Sequence, residues 1–595
     1  MEAQAPKRLM NFAVLSWFQQ RLLHENRTFL ALTIVVGILA GLSAVAFTVA
    51  IDRTTRLFFG ADPTMVRLFL VPVLVSLVTG VLLAKVFPEV RGSGVPQTTA
   101  AFHLRGGVMP ARVPLGKFLT GVLCIGSGHS MGREGPSVQI GAGLASVIGQ
   151  RLRLSPARIK ELVPVGAAGA LAAAFNTPVA AVIFTLEEII GDMNASLLGS
   201  TVIASVASVM VERSILGNEP LFHVPTYHLE HPAELIAYAA LGVVGGVVSL
   251  VFCASLLRLR AWFLSLRPST RWLQPALGGV AIGAILIAVP QVLGVGYRWV
   301  DQALNGKLVL ETLLLLGFVK LVATVVSYAS GNAGGIFAPS LYIGAMVGGA
   351  VGTLVHQYAP FPTAGPGAYA LVGMGTLFAG IIRAPMTSVF MIFEITQDYQ
   401  ILVPLMVANL LAFAIARRYQ PTPVYHALLQ QDHIHLPSAD LQRASATLVA
   451  ADVMSVDTLR LGADQTVDAA CSAARADGAH AFLVVSQDGV SGVVTRGALA
   501  GAVEAGRGHK TVGTIAEAIT VHAHPDHSFD VVFNRLLQSD GLLPVLSRDA
   551  ARHVAGVVTL EHVVQFITAR ARAAREVPRS ARSASEDWPP GAATP

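Results

Sequence analysis

The chain has 595 residues, more than one ordinary domain accommodates, so at least two folding units are expected. Hydrophobic residues make up 53% and charged residues only 13%, against roughly 25% charged in soluble chains, which argues against a wholly soluble protein and for a membrane region. The formal charge of +6 forms no patch interleaved with aromatics, so no nucleic-acid partner is expected.

Lys7, Arg8, Arg21 and Arg27 precede the first apolar run, and residues 1–27 read as a cytoplasmic N-terminal segment. The runs Thr28 to Ala50, Met65 to Val86, Leu235 to Leu256 and Leu308 to Val326 are long enough to cross roughly 30 Å of hydrocarbon as helices. Others are shorter or broken by Gly and Pro. The first run is too long for the apolar stretch of a signal peptide and no small-residue cleavage pattern follows it, so it reads as a retained span. Arg417 and Arg418 follow the last run, and the excess of basic residues places both termini in the cytoplasm. Cys124, Cys253 and Cys471 are scattered without a CxxC pair, so neither a disulfide framework nor a structural metal site is expected, and no cofactor motif is present.

An internal repeat runs through the apolar region. Pro136-Ser137-Val138-Gln139-Ile140-Gly141-Ala142 matches Pro339-Ser340-Leu341-Tyr342-Ile343-Gly344-Ala345 in five of seven positions, 203 residues on. Pro178 precedes Glu187 by nine residues, as Pro385 precedes Glu394, at an offset of 207. The membrane domain is therefore drawn as 28–431, with halves of about 28–220 and 232–431. Duplicated halves with interrupted helices at matching places point to a transporter whose site lies near the midplane.

Past about residue 418 the apolar runs shorten to strand length, and residues 440–568 carry a second repeat. Asp452-Val453-Met454 opens a unit that ends in Gly492-Val493-Val494-Thr495, and a second unit ends in Gly556-Val557-Val558-Thr559, with strand-like runs Ala481 to Val485 and Leu543 to Leu546 ahead of them. This pattern reads as a small α/β module. The tail 569–595 is rich in Ala, Arg, Ser and Pro, a composition expected to remain disordered.

Three Gly-rich segments interrupt the membrane part: Gly92-Ser93-Gly94-Val95-Pro96, Gly132-Arg133-Glu134-Gly135-Pro136, and Gly334-Gly335-Ile336-Phe337-Ala338-Pro339. Each ends in a proline suited to the first turn of a helix. Helix N-termini carry free N–H groups and a positive dipole end, so several converging near the midplane would cradle a small anion without a full positive charge. In this order, and with Tyr425 after the final span, these segments resemble the CLC family of chloride channels and chloride/proton antiporters over nearly the whole membrane region.

The resemblance implies a mainly α polytopic membrane protein with inverted halves and broken helices, joined to a C-terminal α/β tandem CBS domain. It implies that Ser93 and Tyr425 donate hydroxyls to a central chloride, with the backbone N–H groups of Ile336 and Phe337 completing the site. Serine at this position accompanies chloride selectivity in the family, where proline accompanies nitrate and methionine fluoride. Glu134 would be the external gate and proton acceptor, since a carboxylate can occupy the anion position when ionised and leave it when protonated. Glu187 and Glu188 lie on an otherwise apolar stretch where an ionisable group costs roughly 2.5–3.5 kcal/mol at the bilayer centre. In the family's antiporters the second glutamate of such a pair relays protons from the inside, which here is Glu188.

Three positions depart from the family pattern. Gln97-Thr98-Thr99 stands where some bacterial antiporters carry acidic residues, and His129 stands where an apolar residue is usual, read here as a neutral packing histidine. In the C-terminal domain, the aspartate that binds ribose three residues after the closing Thr is replaced by Ala498 and His562. Weak or absent nucleotide binding is expected at the CBS pair. The resulting expectation is a non-enzymatic chloride/proton exchanger, with one pathway per subunit, forming a homodimer in a lipid bilayer, the bacterial inner membrane. A passive, voltage- or pH-gated chloride channel is the alternative, and a membrane-anchored sensor with a vestigial pore is a third reading that Ser93, Glu134 and Tyr425 together oppose.

Overall fold

The computed structural model describes residues 7–192, 195–218, 221–222, 224, 227, 229–434, 436, 448–456, 460–477, 481–486, 489–519, 521–536, 539, 541–548, 553–559, 561–563 and 566, without the side chains of 7–27, 195–196, 475–477, 530 and 534. The tail 569–595 and the first six residues lie outside the described residues. Two compact units divide the chain at residue 436.

The first unit is helical. Its first half comprises α1 (Lys7–Phe59), α2 (Met65–Val81), α3 (Val95–Leu104), α4 (Arg112–Gly126), α5 (Glu134–Arg151), α6 (Pro156–Phe175), α7 (Pro178–Phe184) and α8 (Ala195–Leu216). The second half repeats the series as α9 (Glu234–Ser265), α10 (Gln274–Ala288), α11 (Tyr297–Leu304), α12 (Leu310–Ala329), α13 (Phe337–Tyr358), α14 (Pro366–Ile381), α15 (Pro385–Thr396) and α16 (Leu402–Tyr419), and α17 (Val424–Gln431) follows without a counterpart. Among the described residues seven helical segments are long and apolar enough to cross a membrane. The unit is read as membrane-spanning.

The repeated glycines let backbones touch. A Cβ on Gly141 of α5 would stand 2.3 Å from the carbonyl oxygen of Gly166 in α6, and a Cβ on Gly344 of α13 would stand 2.3 Å from that of Gly373 in α14. Small residues permit this close packing where lipid supplies no hydrophobic drive between helices. At the centre Gly132 and Gly335, 203 residues apart, exchange both backbone hydrogen bonds at 2.8 Å. This is an antiparallel bridge between equivalent residues of the two halves, and it marks a local pseudo-two-fold axis.

The repeated Pro and Glu pairs have a physical cause. Both α7 and α15 start with proline and have no side-chain cap from their own N-cap residues, Thr177 and Ala384. Glu394 instead accepts hydrogen bonds from the N–H groups of Val179 and Ala180 at 2.9 and 2.7 Å. Glu187 in turn accepts from the N–H groups of Met386 and Thr387 at 3.3 and 3.0 Å, and from the Thr387 hydroxyl at 2.8 Å. Each half caps the other.

The second unit holds two similar modules. In the first, β1 (Arg460–Gly462) runs parallel to β2 (Ala481–Ser486) across the helix Val467–Asp477, and β3 (Gly489–Thr495) returns antiparallel to β2. In the second, Ala523 bridges Val545 in parallel across the helix Phe529–Leu536, and β4 (Leu542–Leu546) pairs antiparallel with β5 (Val554–Thr559). Leu461, Phe482, Val484 and Leu499 fill one core, and Val532, Leu543, Val545 and Val558 the other. A third cluster, with Leu483, Leu542 and Val557, joins the modules.

The exchanged caps predict matched energetics. Glu187→Ala and Glu394→Ala should each destabilise the membrane unit by about 1–2 kcal/mol, the scale of a lost N-cap. Thermal unfolding in detergent checks this, and an unchanged midpoint in either variant would contradict the capping role.

Candidate functional site

Two loops, one per half, carry the side chains that meet at the centre. Gly92-Ser93-Gly94 leads into α3, and Gly294-Val295-Gly296 leads into α11. A fully buried lysine braces each loop. Lys117 on α4 donates to the carbonyls of Val90 at 2.9 Å and Gly92 at 2.5 Å, while Lys320 on α12, again 203 residues on, donates to Val292 at 3.0 Å and Gly294 at 2.6 Å. Both lysines were missed in the sequence reading, although a lysine inside each of two apolar helices at the repeat offset was a visible signal.

The first loop needs its glycines. Gly92 and Gly94 have φ of +88° and +110°, and a Cβ on Gly94 would stand 2.5 Å from the Gly135 carbonyl, so other residues there would be strained. Gln97 ties the turn: its carbonyl accepts from Gly94 N–H at 2.8 Å and its amide donates to the Arg91 carbonyl at 2.8 Å. A carboxylate could not make the second bond, which accounts for glutamine at this departure from the family pattern.

The loop presents Ser93 beside Gly135, whose Cβ, if present, would lie 2.5 Å from the serine hydroxyl. The Tyr425 phenol, from the first turn of α17, approaches that hydroxyl. Both side chains are fully buried, yet neither hydroxyl has a hydrogen-bond partner. Buried polar groups are normally paired, so two unpaired donors side by side fit a site for a third species. Ile336 is the N-cap of α13 and Phe337 its first residue, with no side-chain cap. The Phe337 ring is wedged between Phe175, Phe184 and Phe378, with centroids at 4.9, 5.6 and 4.4 Å.

Glu134, the first residue of α5, is fully buried. One carboxylate oxygen accepts from the Tyr297 phenol at 2.5 Å and the other faces the Ala338 N–H at 3.4 Å. Its carboxylate therefore sits where the open end of α13 would hold an anion. The Arg133 guanidinium lies 5.4 Å over the Tyr297 ring. Outside this group a cavity of about 350 Å³ is lined by Asp52, Arg56, Arg133, Gly296 and Tyr297 among others.

Glu188 lies in a π-helical turn, Thr185–Ile190, that continues α7. Such turns are frequent at functional sites. The glutamate is buried and one of its oxygens has no partner, whereas the adjacent Glu187 is fully engaged in capping α15. His129 is fully buried, with its ring nitrogens 2.5 Å from the Ser76 hydroxyl and 3.3 Å from that of Ser327, the environment of a packing histidine. Among the described residues no cluster of three His, Cys, Asp or Glu is placed to hold a metal.

In the second unit a cleft of about 90 Å³ is lined by Thr495, Ala498, Glu517, Val521 and Pro544 among others. That is small against the roughly 300–1,000 Å³ of typical small-molecule sites. The Thr495 hydroxyl accepts from the Ala498 N–H at 3.1 Å, and that of Thr559 from the His562 N–H at 3.3 Å.

Residues 75–417 match the family described as voltage gated chloride channel. A ClcB-like chloride channel protein of Ralstonia nicotianae is 31% identical over 69% of this chain and 99% of its own length. The H+/Cl− exchange transporter ClcA of Vibrio campbellii is 32% identical over 67% of this chain and 88% of its own. Among solved structures, a slow cyanobacterial Cl−/H+ antiporter is similar with a TM-score of 0.62 and 28% identity, covering 68% of this chain and 97% of that one. A eukaryotic CLC transporter, also at 0.62 but 20% identical, covers 91% of this chain and 98% of that one, a likeness of fold that extends into the second unit.

The lysine braces predict that Lys117→Met strips the Val90 carbonyl of its donor, the Gly92 carbonyl keeping the Gly334 N–H at 3.1 Å, and that Lys320→Met strips those of Val292 and Gly294, at a cost of about 1–3 kcal/mol per carbonyl. Both should lower the thermal midpoint in detergent, Lys320→Met by more, and a neutral effect of either would contradict its bracing role.

Proposed function

This chain belongs to the voltage gated chloride channel (CLC) family, and from that premise we propose that it is a secondary transporter exchanging chloride for protons, one pathway in each subunit. The observation that carries this reading is the Glu134 carboxylate seated at the open end of α13, next to two unpaired buried hydroxyls.

In this reading Ser93, Tyr425 and the N–H groups of Ile336 and Phe337 hold the central chloride. Neutral donors bind a monovalent anion weakly enough to release it. Ionised Glu134 competes for the neighbouring anion position. Protonation cancels its attraction to the helix end and to the Tyr297 phenol, the carboxyl leaves, and chloride takes its place. Chloride and the carboxylate then alternate on the same donors, and each departure of the carboxylate carries a proton. Glu188 supplies and accepts that proton from the inner side. Its unpaired oxygen in a buried π turn supports the role, since an intramembrane carboxylate is costly and a passive pathway has no use for it. The exchange transporters and antiporters among the similar proteins favour exchange over the channel alternative.

The proposal extends to assembly and setting. The chain forms a homodimer, lies in the bacterial inner membrane with both termini in the cytoplasm, and has halves of inverted topology. Its second unit is a tandem CBS pair, a reading supported by the two β-α-β-β modules packed through a shared cluster. The narrow cleft beside Ala498 and the absence of a carboxylate at 498 and 562 argue against nucleotide binding there.

Glu134→Ala should leave chloride flux intact and abolish coupled proton movement in liposomes, and Glu188→Gln should keep passive chloride flux while losing the coupling. Proton movement that persists in both variants would count against the roles given to them. Titrating ATP or AMP into the purified full chain should give no saturable heat, and tight binding would overturn the reading of the cleft.

A further inference from the structure

The loop Gly294-Val295-Gly296, braced by Lys320, is the second half's counterpart of the loop that presents Ser93, and it delivers a hydroxyl two residues further on, at Tyr297. Gly296 takes a φ of +82° as the N-cap of α11, and a Cβ there would stand 2.7 Å from the Tyr342 ring, so the turn that aims Tyr297 is fixed by packing. The Tyr297 ring meets Phe222 edge-on at 5.2 Å and an interplanar angle of 84°. With Arg133 over its face, the ring is held on two sides. Its phenol is 2.5 Å from the Glu134 carboxylate while the residue also lines the outer cavity. Tyr297 therefore stands between the cavity and the gate.

We propose that Tyr297 is the latch of the external gate: a positioning residue that holds ionised Glu134 in the anion position and sets the outside pH at which the pathway opens. The proposal rests on the reading of Glu134 as the gate. A phenol donates more strongly to a carboxylate than to a neutral carboxyl, so the bond favours the ionised, seated gate, and removing it favours protonation and departure. The other charged or titratable groups facing this carboxylate are Arg133 on its own element and Tyr425 from α17, with Asp52 and Arg56 of α1 across the cavity. Replacing Tyr297 with phenylalanine keeps the ring contacts with Arg133 and Phe222.

The test compares wild type, Tyr297→Phe, Glu134→Ala and the double variant in liposomes, recording chloride efflux and proton movement against external pH. Tyr297→Phe should keep coupling and move the pH of half-maximal exchange upward by about one unit, a roughly tenfold change matching one charge-assisted hydrogen bond. In the Glu134→Ala background the same substitution should change nothing. An unmoved or lowered midpoint in Tyr297→Phe, with Glu134→Ala still uncoupled, would overturn the latch and leave the gate standing. An equal loss of chloride flux in both backgrounds would make Tyr297 an anion ligand and also overturn it. Proton coupling retained in Glu134→Ala would instead defeat the gate reading itself.

Discussion

Helices that begin in the middle of a membrane protein must satisfy their backbone polar groups without water, and the paired exchange between Gly132 and Gly335 is where this chain meets that constraint. Each glycine uses its N–H and C=O on the other, so the segments before α5 and α13 are held together without drawing on the N–H groups of the following first turns. An unpaired backbone group in hydrocarbon costs several kcal/mol. The buried lysines serve the same end, each closing two loop carbonyls that no helix could reach. At the open end of α13 the Ala338 N–H faces the Glu134 carboxylate.

The duplication separates scaffold from chemistry. Equivalent positions that carry the architecture are repeated: Gly132 and Gly335, Lys117 and Lys320, Pro136 and Pro339, Glu187 and Glu394. The groups given roles in transport are not. The position equivalent to Glu134 is Phe337, and the one equivalent to Glu188 is Ile395. A symmetric frame thus holds an asymmetric set of acids, and in the proposed exchange this gives the proton route a distinct inner and outer end. Val295 stands opposite Ser93 and Tyr297 opposite Val95, so the two loops present their hydroxyls two residues apart in register, Ser93 against Gly135 and Tyr297 on Glu134.

Much of the frame was legible in the sequence because repeats and glycines leave local marks. The 203-residue offset followed from the Pro136 and Pro339 segments, and the strand-like runs at 481 and 543 became β2 and β4 because short continuous apolar runs suit strands buried on both faces. The meaning of the 207-residue match was not legible. That Glu187 and Glu394 cap each other's helices depends on contacts across some two hundred residues, which spacing alone does not encode. Glu187 and Glu188 looked alike in sequence, and only the fold separates a capping carboxylate from one with an unpaired oxygen. Tyr297 escaped notice for a related reason: an aromatic after a Gly-x-Gly turn has no distinctive chemistry until Glu134 is placed against it.

The central claim, that protons and chloride move in exchange through this frame, is tested most directly in liposomes with an acidic lumen, equal chloride on both sides and the voltage clamped by potassium and valinomycin. One pH unit supplies about 1.4 kcal/mol per proton. Proton exit should drive chloride into the lumen against its own rising gradient. Chloride that stays at its electrochemical equilibrium, with a reversal potential insensitive to pH on either side, would contradict the account and leave a passive channel.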